Sequence, residues 1–220
     1  MRFILVLFIY FLGFSYANAE IISSLPEKEE IVPEVANIYF TDSVSERSIS
    51  ELGASINDIY IKYPTVKKIN LIINSLGGSV QAGFMAYTMI KSSPIPITAI
   101  NGGITASAAT YFYCAAKERQ AIPGSMFLLH AANTYAKAEK PDELERELVQ
   151  LGYVHNFINK IYRECTTLSD DEIKNIAKSE YLAKYLDEEE AKTIKLSDKT
   201  AQTIAQPDVS FFIFSKDRDE

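Results

Sequence analysis

From about residue 36 to residue 130, short apolar runs alternate with segments whose apolar positions recur every three to four residues. The runs at 36–40, 68–73, 97–100 and 126–129 have the length of buried strands. Between them, 45–60 sets Ile49, Leu52, Ile56 and Ile59 on one helix face, and 80–90 forms a second helical segment. Such alternation predicts an α/β fold of strand–helix crossover units around a mainly parallel sheet. Beyond residue 130 the pattern turns helical. Pro141 stands in a first turn, with Asp142 and Glu143 near the positive end of the helix dipole. This helix is expected to run to about Glu164, with Leu144, Leu148, Leu151, Phe157, Ile158 and Ile161 as its apolar positions. Ser169-Asp170-Asp171-Glu172 is a capping box opening a shorter helix, 187–195 is helical, and 210–215 reads as a terminal strand.

The N-terminus follows a different rule. Arg2 precedes a nearly continuous apolar run at 3–16, and Ala17-Asn18-Ala19 supplies a small-x-small cleavage pattern before Glu20. The run is shorter than the about 20 apolar residues a membrane span needs. The expectation is a cleaved signal peptide over 1–19 and a periplasmic or secreted mature protein, the alternative being an uncleaved anchor. Residues 20–35, polar with two prolines, read as a flexible lead-in. The main domain is then 36–205, and 206–220 holds the last strand and a tail.

Composition narrows the function. A chain of 220 residues that is 47% hydrophobic is ample for one packed core. A net charge of −7 argues against a nucleic-acid partner, which would call for a basic patch. The two cysteines, Cys114 and Cys165, form no disulfide framework and no metal-ligand spacing. Cys114 reads as a core residue, and nothing in the spacing supports a bridge to Cys165. No metal and no cofactor are expected.

The chemistry concentrates in 69–130. After the run at 97–100 comes the pair Gly102-Gly103, and then small residues that open a helix with Ser107 just inside it. A helix N-terminus offers unpaired N–H groups and partial positive charge to a developing anion. Upstream, Asn74-Ser75-Leu76-Gly77-Gly78-Ser79-Val80 is another strand-to-helix turn, and downstream the run at 126–129 ends at His130, one of two histidines. A serine hydroxyl needs a neighbouring base, and imidazole titrates near neutrality. The other histidine, His155, falls on the long helix and reads as a surface or interface residue.

These three segments, in this order, resemble the ClpP family of serine peptidases, the proteolytic subunits of Clp proteases. The resemblance covers roughly 35–200, and its motifs are Asn74 to Val80, Gly103-Ile104-Thr105-Ala106-Ser107, and the strand ending at His130. It implies a ClpP/crotonase-like fold of repeated β-β-α and β-α units with a protruding handle helix, here the long helix after residue 140. It further implies Ser107 as nucleophile, His130 as base, and the backbone N–H groups of Gly77 and Ala108 as oxyanion hole. The family places an acid roughly fifty residues after the histidine. Counting forward through the helix from Ile173 gives Glu180, while counting back from 186–198 gives Ala183. Glu180 is therefore the expected third member, with Asp187 in reserve. Leu76 replaces the family's proline, and Ala131-Ala132 replaces Gln-Pro after the histidine.

The implied function is a serine endopeptidase that assembles as a homo-oligomeric ring, by resemblance a tetradecamer, and acts on peptides or unfolded polypeptides. The family's ATP-driven unfoldases are cytosolic, so an exported member is expected to work without one. Three other readings stand beside it. A Ser-Lys dyad, as in signal-peptide peptidases, would use Lys137 or Lys160 as base. A crotonase-type enzyme would stabilise acyl-CoA enolates, and a non-catalytic homologue would assemble or bind peptides.

Overall fold

Among the described residues, strand β1 (Ala19–Ser24) lies at one edge of a nine-stranded sheet and pairs antiparallel with the last strand, β9 (Val209–Ser215). Strand β9 in turn runs parallel to β2 (Val35–Phe40), which is followed by β3 (Lys68–Ser75), β4 (Ile97–Ala106) and β5 (Glu118–Ala121), all parallel. The coordinates are a computed structural model, and residues 19–24, 32–132, 140–204 and 207–215 are described. The expected signal peptide, apart from Ala19, lies outside the described residues, as does Lys137. Among the described residues no helix is long and apolar enough to cross a membrane.

Both faces of the central strands are covered, so β3 reads as a near-continuous apolar run in which Ile69, Leu71, Ile72 and Ile73 are all buried. Helix α1 (Glu46–Lys62) starts at a capping box in which Ser45 accepts from the Ser48 amide. It buries Ile49, Leu52, Ile56 and Ile59, the face its spacing predicts. Helix α2 (Val80–Lys91) packs so closely on the following helix, α3 (Ala109–Ala115), that a Cβ on Gly83 would sit 3.0 Å from the Ala108 oxygen. Every residue of α3 is buried.

The lead-in differs from expectation. Residues 19–24 form β1, residues 25–31 lie outside the described residues, and the expected C-terminal strand lies inside the sheet between β1 and β2. Tyr39 and Phe212 stack at 4.8 Å on that join. The long helix α4 (Pro141–Cys165) divides in two along its length. Its C-terminal half is rooted in the core through Ile158, Ile161, Tyr162 and Cys165. Its N-terminal half stands clear, leaving Leu148 60% and Tyr153 74% exposed. Helix α5 (Asp170–Lys178) follows, opened by the Ser169–Glu172 capping box. Strand β6 (Met126–Leu129) pairs parallel with the end of β4, and strand β7 (Lys184–Asp187) pairs antiparallel with β6. Helix α6 (Glu188–Thr193) and the short strand β8 (Lys199–Thr200), beside β5, complete the array.

Candidate active site

The glycine pair of β4 does not end the strand. Its first half pairs with β5 and its second half, Ile104 to Ala106, with β6, so Gly102 and Gly103 mark where the strand changes partners. Side chains make up for the interrupted ladder. Asn74 Oδ1 accepts from the Ile104 amide at 3.1 Å, Asn101 Oδ1 accepts from the Gly103 amide at 3.2 Å, and Asn101 Nδ2 donates to the Met126 oxygen at 2.9 Å. A Cβ at Gly103 would press to 2.8 Å from Asn74 Oδ1. The strand therefore continues to Ala106, and Ser107 sits at an elbow between strand and helix, not inside the helix.

Ser107 has φ 54°, left-handed backbone that costs a non-glycine residue roughly 1–2 kcal/mol. The surroundings hold it there. Its N–H donates to the Leu128 oxygen at 2.9 Å, which ties the elbow to β6. Its carbonyl accepts from the Thr110 amide at 2.9 Å and from Thr110 Oγ1 at 2.6 Å. Thr110 Oγ1, having used its own proton, accepts from Tyr162 on α4 at 2.8 Å. Burial pushes the Tyr162 phenol well above its ordinary range, so it stays a donor.

The opposite wall is the glycine turn. Gly77 has φ 92°, and a Cβ there would fall 2.6 Å from Ser107 Cβ, 2.7 Å from the Ala106 oxygen and 3.0 Å from the Ala108 nitrogen. Only glycine admits both this conformation and this approach. The backbones of Gly77 and Ala108, the two expected oxyanion-hole donors, thus meet around Ser107. The turn is pinned from behind by Val44, whose N–H donates to the Gly77 oxygen at 2.8 Å and whose carbonyl accepts from the Ser79 amide at 2.7 Å. The Gly77 N–H itself donates to the buried Ser75 Oγ at 3.1 Å.

His130 follows β6 directly. Strand pairing sets Ala106 beside Leu128, so the serine elbow and the histidine leave neighbouring strands at the same end of the sheet. His130 Nδ1 lies 2.7 Å from Glu180 Oε1. The two alignments that pointed to Glu180 and Ala183 both have a physical meaning. Leu129 pairs with Lys184, which puts Ala183 next in register with His130. The 3-10 turn Glu180–Leu182 then folds the chain back, so that the carboxylate reaching the imidazole is that of Glu180. Asp187 stands at the other end of β6, opposite Met126, and its carboxylate caps α6 by accepting from the Glu190 amide at 2.8 Å. Four residues of strand, about 13 Å, separate it from the level of His130. The Glu180 side chain is 54% exposed and that of His130 19%, so this contact is wet on the acid's side.

Among the described residues the Ser107 hydroxyl bonds to neither His130 nor any lysine, and Lys160 is exposed on α4. No described cluster of three His, Cys, Asp or Glu side chains could hold a metal ion.

The bridge for which spacing gave no support is present. Cys114 of α3 and Cys165 of α4 form a disulfide, with Cα atoms 5.5 Å apart. Together with the Tyr162–Thr110 hydrogen bond it fastens the handle's root to the helix behind Ser107. Spacing along the chain could not have shown it, since the pairing depends on how α3 and α4 cross.

Comparisons with known proteins agree with this architecture. The sequence profile described as Clp protease matches residues 32–203. No curated protein sequence matches the chain. Among solved structures, an Asn-to-Asp mutant of ClpP1 from Listeria monocytogenes superposes with a TM-score of 0.65 at 21% identity, covering 76% of this chain and 91% of that one. That likeness speaks for the fold, and the profile match over most of the chain settles the wider relationship: the chain belongs to the Clp protease family.

Proposed function

We propose that the chain is a serine endopeptidase that cleaves peptides or already unfolded polypeptides through an acyl-enzyme on Ser107. The observation that carries this reading is the 2.7 Å contact between His130 Nδ1 and Glu180 Oε1, beside a serine held on a left-handed elbow. An ionised carboxylate only accepts hydrogen bonds, so Nδ1 carries the proton and Nε2 keeps the lone pair that a serine proton needs. Ser107 Oγ then attacks the scissile carbonyl while His130 takes its proton and later returns it to the leaving amine. Glu180 fixes the tautomer and stabilises the imidazolium. Water enters next and, with His130 again as base, releases the acyl group.

The tetrahedral oxyanion is held by the Gly77 and Ala108 amides. Two adjustments accompany substrate binding. The Gly77 N–H turns from Ser75 Oγ to the oxyanion, and the Ser107 hydroxyl closes on His130. Loose catalytic hydrogen bonds of this kind are common without substrate.

The N-terminal leader supports export to the periplasm or beyond, with an uncleaved anchor as the alternative. The Cys114–Cys165 disulfide fits an oxidising compartment. There the peptidase would act without an ATP-driven unfoldase. The exposed Leu144, Leu148, Val149 and Tyr153 along the free half of α4 support assembly of copies into a ring through this helix.

The test is proteolysis without ATP. Purified protein incubated with an unfolded substrate and with short fluorogenic peptides should cleave both, and Ser107→Ala and His130→Ala should abolish cleavage. Cleavage that survives Ser107→Ala would refute the assignment, and cleavage that survives His130→Ala would favour a lysine base.

A further inference from the structure

Two buried hydroxyls lie behind the glycine turn. Ser75 ends β3 at 4% exposure, and Thr105 lies on β4, two residues before Ser107, at 0%. We infer that they are positioning residues that act as a pair: Ser75 holds the Gly77 N–H at rest, and Thr105 takes over that bond when the amide turns to the oxyanion. The inference rests on the peptidase reading above.

The topology puts the two side by side. Counting on from the pair Ile73–Asn101 would set Gly103 beside Ser75, but the register shifts at the glycines and sets Thr105 there instead. A shift of two residues keeps the face, so both side chains lie on the side of the sheet where Ile69, Leu71 and Ile73 enter the core. Neighbouring strands lie about 4.8 Å apart and a serine side chain has three staggered positions, so one rotamer step brings the hydroxyls within hydrogen-bond reach.

Their hydrogen bonding is unequal. Ser75 Oγ accepts from the Gly77 N–H at 3.1 Å. Thr105 Oγ1 is buried with no partner among the described residues. A buried hydroxyl without a partner costs the fold free energy, and the resting arrangement does not relieve that cost. Relief comes during catalysis. Once the Gly77 N–H swings to the oxyanion, Ser75 Oγ loses its partner, and that loss alone would raise the barrier. The Thr105 O–H then donates to Ser75 Oγ, so the hydroxyls and the amide are all paired as the tetrahedral intermediate forms. Ser75 thus binds the ground state and slows the reaction, while Thr105 favours the transition state.

The test measures kcat and KM with a fluorogenic peptide, and thermal melts, for Ser75→Ala, Thr105→Val and the double variant. Ser75→Ala leaves the Gly77 N–H free at rest. It should raise kcat roughly three- to tenfold with KM unchanged, while the melting temperature falls. Thr105→Val keeps the shape and removes the unpartnered hydroxyl. It should melt no lower than the parent and yet lower kcat roughly three- to tenfold. The double variant should have the kcat of Ser75→Ala, because Thr105 has nothing to donate to once Ser75 is gone. A purely structural role would move stability and kcat together. An unchanged kcat in Thr105→Val, a lower kcat in a folded Ser75→Ala, or additive effects in the double variant would overturn the inference while leaving the peptidase intact. Should Ser75→Ala fail to fold, the near-isosteric Thr105→Val decides alone. A parent protein that cleaves nothing would overturn the peptidase reading and this inference with it.

Discussion

Removing the Cys114–Cys165 bridge should cost the protein much of its stability and loosen the helix behind Ser107. The bridge spans 51 residues. Chain-entropy arithmetic for a loop of that length gives about 4 kcal/mol of stabilisation through restriction of the unfolded state. For a domain of this size each kcal/mol moves Tm by roughly 2–4 °C, so Cys114→Ala/Cys165→Ala should melt about 8–16 °C below the parent. The two sulfurs act as one unit. Either single alanine variant should therefore fall nearly as far as the double variant, a strongly non-additive cycle. Thermal melts followed by circular dichroism, at equal protein concentration, measure all four proteins. The intact bridge is checked by thiol titration of the denatured, unreduced parent, which should find no free thiol. Additive single losses, a double variant melting within about 2 °C of the parent, or two titratable thiols in the parent would refute the reasoning.

Gly77→Ala should abolish activity and lower stability by at least about 1–3 kcal/mol, since its new Cβ meets Ser107 at 2.6 Å in a conformation alanine resists; activity assays and urea melts read both effects. Tyr162→Phe removes the hydrogen bond to Thr110 and should cost about 1 kcal/mol in a urea melt, with a lower kcat and little change in KM because the elbow rather than the binding surface is loosened. Glu180→Gln should keep the fold and lower kcat on the order of 10²–10⁴-fold, measured with a fluorogenic peptide. The capping bonds from Ser169, and secondarily Lys184, hold the Glu172 carboxyl below its ordinary value. A depressed carboxyl stabilises above its unfolded pKa and loses that contribution as pH falls through its folded pKa. Acid should therefore loosen the start of α5 and its tie to β7, and Glu172→Gln should flatten that part of a stability–pH profile followed by melts between about pH 5 and pH 2.

Much of this was legible in the residues because local rules and tertiary packing agree there. The spacing of Ile49, Leu52, Ile56 and Ile59 fixes the buried face of α1, and Ser169 with Glu172 starts α5 where a capping box should. Ser107 and His130 stand out as candidates by their flanks, but the strand's path to Ser107 does not. Glycines at 102 and 103 usually signal the end of a strand, and here Asn74 and Asn101 carry the ladder past them. Counting through the helix from Ile173 points to Glu180 and counting back from 186–198 to Ala183, and it is the 3-10 turn that brings Glu180, rather than the residue in strand register, to the imidazole. Cys114 and Cys165, Thr110 and Tyr162, and the insertion of β9 between β1 and β2 all depend on which elements lie side by side. No periodicity along the chain carries that information.

The account stands on an activated serine at position 107. Its most direct test is covalent labelling of the purified protein with a fluorophosphonate, without ATP, followed by mass mapping of the modified peptide. The account predicts a single adduct on Ser107, lost in His130→Ala and formed more slowly in Glu180→Gln. A folded, disulfide-bonded protein that takes no label, or an adduct that forms as fast without His130, would contradict it.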